Sequence, residues 1–140
     1  MGSYRQQTLI DAPVDAVWSH VGDPASYPRW AGDIVEVTGL DAVEEGARYH
    51  QTTKTPLGKA DTEFVVDRLD DLREIRVHCL LSGYFLHWQL TEAGDDTFAQ
   101  VEVGMDPKHI GYRAMDMTVG RRWYRNVVED MLTRLRAVIR

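Results

Sequence analysis

The amino-acid sequence predicts an α+β domain in which a curved antiparallel sheet of about seven strands wraps around one long C-terminal helix, with two short helices between the first two strands. Three observations predict it. Apolar residues alternate with period two, in short runs parted by turn residues, from residue 33 to residue 106. Beyond residue 110 the spacing lengthens to three and four and stays so to the end. The only other helical spacing is brief and lies between residues 13 and 30.

Residues 5–10 read as the first strand. Asp11-Ala12-Pro13 then reads as a helix start, because proline in the first turn loses an N–H that would lack a partner there. Val14, Val17, Trp18 and Val21 come next at i, i+3, i+4 and i+7, a single apolar stripe that Gly22 closes, and Trp18 is expected in the core. Asp23-Pro24 repeats the start signal, and Pro28 limits the second helix to a turn or two. Strands are expected near 33–40, 47–54, 61–69, 73–81, 84–91 and 97–106. A tight turn at Ser82-Gly83 would put Cys79 opposite Leu86, Val77 opposite Trp88 and Ile75 opposite Leu90; one at Asp70-Asp71 would put Val66 opposite Ile75 and Phe64 opposite Val77. Both hairpins then share one apolar face, to which Ala99, Val101, Val103 and Met105 add by alternation. The strand at 47–54 is polar on both faces, so either Tyr49 and Gln51 or Arg48 and His50 could point inward. Met115, Val119, Trp123, Val127, Met131, Leu135 and Val138 mark a terminal helix of roughly 26 residues and about 40 Å, with a bend or close approach expected at Gly120.

Composition bounds the chemistry. At 140 residues, 44% apolar and 27% charged, the chain has the make-up of one globular domain, residues 1–140. Its formal charge of -6 opposes nucleic-acid binding, although residues 121–140 carry six arginines against Glu129 and Asp130. Cys79 is a lone cysteine, expected in the core, and no transmembrane run or secretory apolar stretch is present, which places the chain in the reducing cytoplasm by default. Phosphate loops, nucleophile elbows and paired zinc histidines are missing, so no cofactor is expected. His78 and His87 should face each other on the convex side without a converging carboxylate, so no metal site is expected.

Two stretches resemble a known family. Ile10-Asp11-Ala12-Pro13-Val14-Asp15-Ala16-Val17-Trp18 and Asp23-Pro24-Ala25-Ser26-Tyr27-Pro28-Arg29-Trp30 are similar to the opening of the polyketide cyclase/dehydrase branch of the SRPBCC superfamily, relatives of START domains and the birch pollen allergen. The resemblance implies a helix-grip fold with a deep cavity between sheet and C-terminal helix that binds hydrophobic ligands without metal or nucleotide. Tyr27-Pro28 stands where similar cyclases carry Trp-Pro at the cavity entrance, which puts Tyr27 at the mouth. A second cyclase tyrosine aligns near Ile34, and the strand expected to supply an arginine offers Thr62, Phe64 and Val66 instead.

The expected function is binding of an aromatic or polyketide-like small molecule, as a cyclase/dehydratase or as a non-catalytic carrier or sequestering protein. In the enzyme version, Tyr27, Tyr49, His109 and Tyr112 are the proton-transfer candidates. Asp106, His109, Tyr112 and Arg113 would cluster at the mouth, or Asp106 with Pro107 would simply end the strand. Trp30, Gln51, Phe64, Tyr84, Trp88, Met105, Met115, Val119 and Trp123 are the lining candidates, for Trp88, Met105, Met115 and Trp123 equally readable as core. The basic run at 121–140 is a solvated face, or a contact for an acidic partner such as an acyl carrier protein.

Overall fold

The computed structural model describes residues 2–106 and 110–139; among these, the side chains of residues 110–112, 115 and 119 lie outside the description. The elements are β1 (Gly2–Ile10), α1 (Val14–Val21), a 3-10 turn at Pro24–Ser26, α2 (Tyr27–Trp30), β2 (Ile34–Thr38), β3 (Arg48–Thr55), β4 (Gly58–Asp70), β5 (Glu74–Cys79), β6 (Tyr84–Ala93), β7 (Asp96–Met105) and α3 (Ile110–Ile139). All seven strands join one curved antiparallel sheet in the order β1-β7-β6-β5-β4-β3-β2. β1 pairs with β7 along its whole length, so α1 and α2 must carry the chain across the sheet to the opposite edge at β2. Those short helices and α3 cover the concave face.

Sequence explains the local choices. Pro13 caps α1 from just outside it, its carbonyl accepting from the Ala16 and Val17 N–H groups. Val17 and Val21 are wholly buried, and Trp18, partly buried, packs against the same core and lies across Gly22, where a Cβ would overlap the indole. Asp23 caps the 3-10 turn by accepting from the Ala25 N–H.

The shared inward face of β4, β5, β6 and β7 is as expected, but both hairpin registers differ. Val77 faces Leu86 and Ile75 faces Trp88, two residues from the tight-turn alignment, because Leu80–Gly83 form a four-residue loop closed by the Gly83 N–H on the Cys79 carbonyl. A shift of two preserves the face. Consequently His87 lies opposite Arg76 rather than His78; His78 Nδ1 pairs with Asp67 and His87 Nε2 with Glu74 on the outer face. Gly83 has φ +75°, and a Cβ there would overlap the Asp106 carbonyl. Between β4 and β5, Val66 faces Val77 and Phe64 faces Cys79, because a three-residue loop with Leu72 at φ 66° is combined with an irregularity between Val66 and Arg68.

α3 is 30 residues long, about 45 Å, and kinks at Gly120 (φ 9°, ψ -116°). Its buried stripe is wider than the expected seam: Tyr124, Val128 and Leu132 join Val127, Met131 and Leu135. Val138 is 37% exposed instead, since Arg136 and Ile139 occupy the end of the helix against β1: Arg136 donates to Thr8 Oγ1, and Ile139 packs on the core. Cys79 is a buried free thiol.

Candidate functional site

The concave interior is a run of aromatic rings. Tyr27 meets Trp30 edge-on at 5.4 Å between centroids, and Trp30 meets Trp88 at 6.0 Å. Tyr49 stacks on Phe64 at 5.8 Å; Phe64 leads to Tyr84, and Tyr84 to Trp123 at 5.5 Å. These rings stand in the space expected as a deep cavity. Among the described residues, a pocket of about 50 Å³ lies beneath Trp123, walled by Thr53, Thr62, Phe64, Cys79, Tyr84 and Met105. That holds one or two waters. On the other side of Trp123 runs an open groove of about 470 Å³ along Asp33, Lys54, Thr55, Pro56, Val127 and Asp130. Trp123 and Thr55 border both spaces, so the indole separates pocket from groove.

β3 resolves its own parity. Tyr49, Gln51 and Thr53 are buried, and Arg48 and His50 exposed, because pairing with Phe64 and Thr62 of β4 puts the odd positions on the concave side. Gln51 Nε2 donates to Thr53 Oγ1 at 2.9 Å. Four buried polar atoms have no partner among the described residues: Asp33 Oδ1, Tyr49 OH, Gln51 Oε1 and Trp88 Nε1.

Of the proton-transfer candidates, Tyr27 is not at the mouth. It is wholly buried, and its hydroxyl donates to the Val21 carbonyl at 2.6 Å, pinning α2 to α1. Burial pushes the Tyr27 and Tyr49 hydroxyls well above the ordinary phenol range, so both stay protonated. His109 lies outside the described residues, as do the side chains of Tyr112, Met115 and Val119. Among the lining candidates, Phe64, Tyr84, Met105 and Trp123 surround the pocket, while Trp30, Gln51 and Trp88 lie among the buried interior residues and are not in its wall.

Asp33 was not singled out from sequence. It is 9% exposed, and its Oδ2 accepts from the Tyr84 hydroxyl at 3.2 Å. Burial raises its pKa from 3.8 to about 6, assisted by the nearby Asp130 charge and opposed by hydrogen bonds from its own backbone and from Tyr84. In sequence it looks like any turn aspartate, lying in a short link between Trp30 and Ile34. Thr62, read from sequence as inward on its strand, does line the pocket; Thr53 and Asp130 lacked a signal, since polar residues on strands and helices are ordinary surface residues.

A family model described as "Polyketide cyclase / dehydrase and lipid transport" matches residues 1–140. The chain belongs to this family. Solved structures share the fold: TTHA0849 from Thermus thermophilus (15% identity, 98% of this chain and 96% of that one, TM-score 0.75) and a START superfamily protein from Mycobacterium smegmatis (13%, 99% and 97%, 0.76). A polyketide-cyclase-like protein from Corynebacterium glutamicum is similar at 15% identity and TM-score 0.58, over 98% of this chain and 84% of its own. No curated protein matches. Identities this low carry the helix-grip architecture and leave the ligand to the site itself. Among the described residues, no helix is long and apolar enough to cross a membrane.

Proposed function

We propose that this member of the polyketide cyclase/dehydrase family binds an aromatic or polyketide-like small molecule between the concave sheet and α3, entering past Trp123. The supporting observation is an apolar pocket beneath Trp123 in an interior that also holds four unpartnered buried polar atoms outside the pocket wall: Asp33 Oδ1, in a residue that borders the groove, and Tyr49 OH, Gln51 Oε1 and Trp88 Nε1. Each such atom costs about 1–3 kcal/mol while unpaired, a cost that a guest with complementary polar atoms would relieve. The 50 Å³ pocket is too small alone. Swinging the partly buried Trp123 outward, three residues past the Gly120 kink, would merge it with the groove into a space within the roughly 300–1,000 Å³ of ordinary ligand sites.

A carrier or sequestering role is favoured over a cyclase built on Tyr27 by one observation: the Tyr27 hydroxyl is committed to the Val21 carbonyl. His109 and Tyr112 stay proton-transfer candidates for the cyclase version. Arg121, Arg122 and Arg125 are all exposed, as a contact with an acidic partner such as an acyl carrier protein would need; reversing the three charges should weaken that contact and its salt dependence. Native mass spectrometry of protein purified from its own host tests the central reading. A copurified organic molecule and saturable quenching of tryptophan fluorescence by flat aromatic probes are expected; neither appearing would overturn it. Turnover of a linear poly-ketone thioester above its spontaneous rate would separate cyclase from carrier.

A further inference from the structure

The two carboxylate oxygens of Asp33, in the link between α2 and β2, have different surroundings. Oδ2 is held by the Tyr84 hydroxyl from β6, which sets the plane of the carboxyl group. Oδ1 is equally shielded from water yet accepts from no donor among the described residues, in a side chain more than nine-tenths buried. The groove beside it has an apolar wall of Trp123, Val127 and Pro56. The charged groups facing it are Lys54 from β3 and, from α3, Asp130, whose own charge is met by Arg134 at 2.9 Å. A carboxylate with one oxygen oriented and the other unspent, beside an apolar surface, is arranged as a base.

We infer that Asp33 is the proton acceptor of this site, acting on the carbon next to a carbonyl group of an enolisable ketone held against Trp123. The C–H bond breaks, the proton bonds to Oδ1, and the electron pair moves onto the carbonyl oxygen as an enolate. The resulting carboxylic acid then returns a proton to the carbon or to water, so nothing is oxidised or reduced. Tyr84 is a positioning residue: burial holds its hydroxyl protonated, so it remains a donor throughout. With a pKa of about 6, Asp33 is ionised at neutral pH yet more basic than an exposed aspartate.

The inference rests on the groove and pocket being a ligand site, and β-tetralone, a flat enolisable ketone, tests the two separately. Binding is read from tryptophan quenching, and proton transfer from deuterium uptake at the ketone α-carbon in heavy water. Exchange should saturate with ketone and rise with pH through a midpoint near 6. Asp33→Asn should lower the protein-dependent rate by about a hundredfold or more. Tyr84→Phe, which removes a hydrogen bond that lowers the Asp33 pKa, should move the midpoint upward. Saturable quenching without exchange, or full exchange in Asp33→Asn, overturns the role of Asp33 and leaves the ligand site standing. Absence of quenching overturns both. Should Asp33→Asn not fold, the unaltered protein decides: a rate without an inflection near pH 6 overturns the inference.

Discussion

Replacing Asp33 by Asn should stabilise the protein at pH 8, contrary to the usual expectation for a buried hydrogen-bonded residue. The Asp33 pKa rises from 3.8 in the ordinary state to about 6 in the fold, chiefly because burial disfavours the charge. At about 1.4 kcal/mol per tenfold change in proton affinity, the ionised carboxylate costs the folded state about 3 kcal/mol. The sign comes from proton counting. Between pH 3.8 and about 6 the folded chain binds the proton and the unfolded chain does not, so this contribution to stability falls as pH rises and levels off above the folded value. Asparagine keeps an oxygen for the Tyr84 hydroxyl but leaves an amide N–H to find an acceptor, which returns about 1 kcal/mol. The net gain at pH 8 is then about 2 kcal/mol, or about 1 M in urea midpoint. Urea unfolding of both proteins from pH 4 to pH 8, monitored by far-UV circular dichroism, measures it. The gain should fall through zero and become a loss of up to about 1 kcal/mol towards pH 4, where the charge cost is gone and the amide cost remains; a difference independent of pH, or a loss at pH 8, would refute the burial argument.

Three further substitutions probe other parts of the structure. Tyr49→Phe removes a buried hydroxyl without a partner and should raise ligand-free stability by about 1 kcal/mol in chemical unfolding, while weakening any ligand that uses that hydroxyl. Gly83→Ala forces a Cβ onto the Asp106 carbonyl at positive φ, and should cost at least about 3 kcal/mol or prevent folding, as seen by thermal melting. Leu72→Asn, at φ 66° in the β4–β5 loop, should gain about 0.5–1 kcal/mol, because asparagine tolerates the left-handed region better than leucine; a loss of stability there would mean that the partly exposed Leu72 side chain contributes packing.

The elements were legible where one periodicity dominates. Val14, Val17 and Val21 on α1 and Val127, Met131 and Leu135 on α3 lie as their spacing requires, and Gly120 kinks the helix where a glycine in its interior suggested a bend. Loop geometry was less legible. Ser82-Gly83 and Asp70-Asp71 are both genuine turn signals, but the loops contain four and three residues, and only the hydrogen bond from Gly83 to Cys79 and the positive φ of Leu72 reveal that. β3 was ambiguous because both its faces are polar; pairing with β4 buries Tyr49, Gln51 and Thr53 whatever their polarity. The width of the interior was not legible for a related reason. A sequence shows that aromatic residues point inward but not how their rings interlock, and here Trp30 meets Trp88, Tyr49 stacks on Phe64 and Tyr84 meets Trp123.

Hydrophobic period, turn residues and the opening motif are local properties, and by themselves they determined the order of elements, the inward face of four strands, the long terminal helix and the family to which the chain belongs. The tertiary structure alone decided the chemistry of Asp33. Its hydrogen-bond donor, Tyr84, comes from 51 positions away, and Trp123 and Val127 of the groove from farther still. Proton affinity depends on the dielectric and the charges within a few ångströms, and for this residue folding supplies nearly all of them.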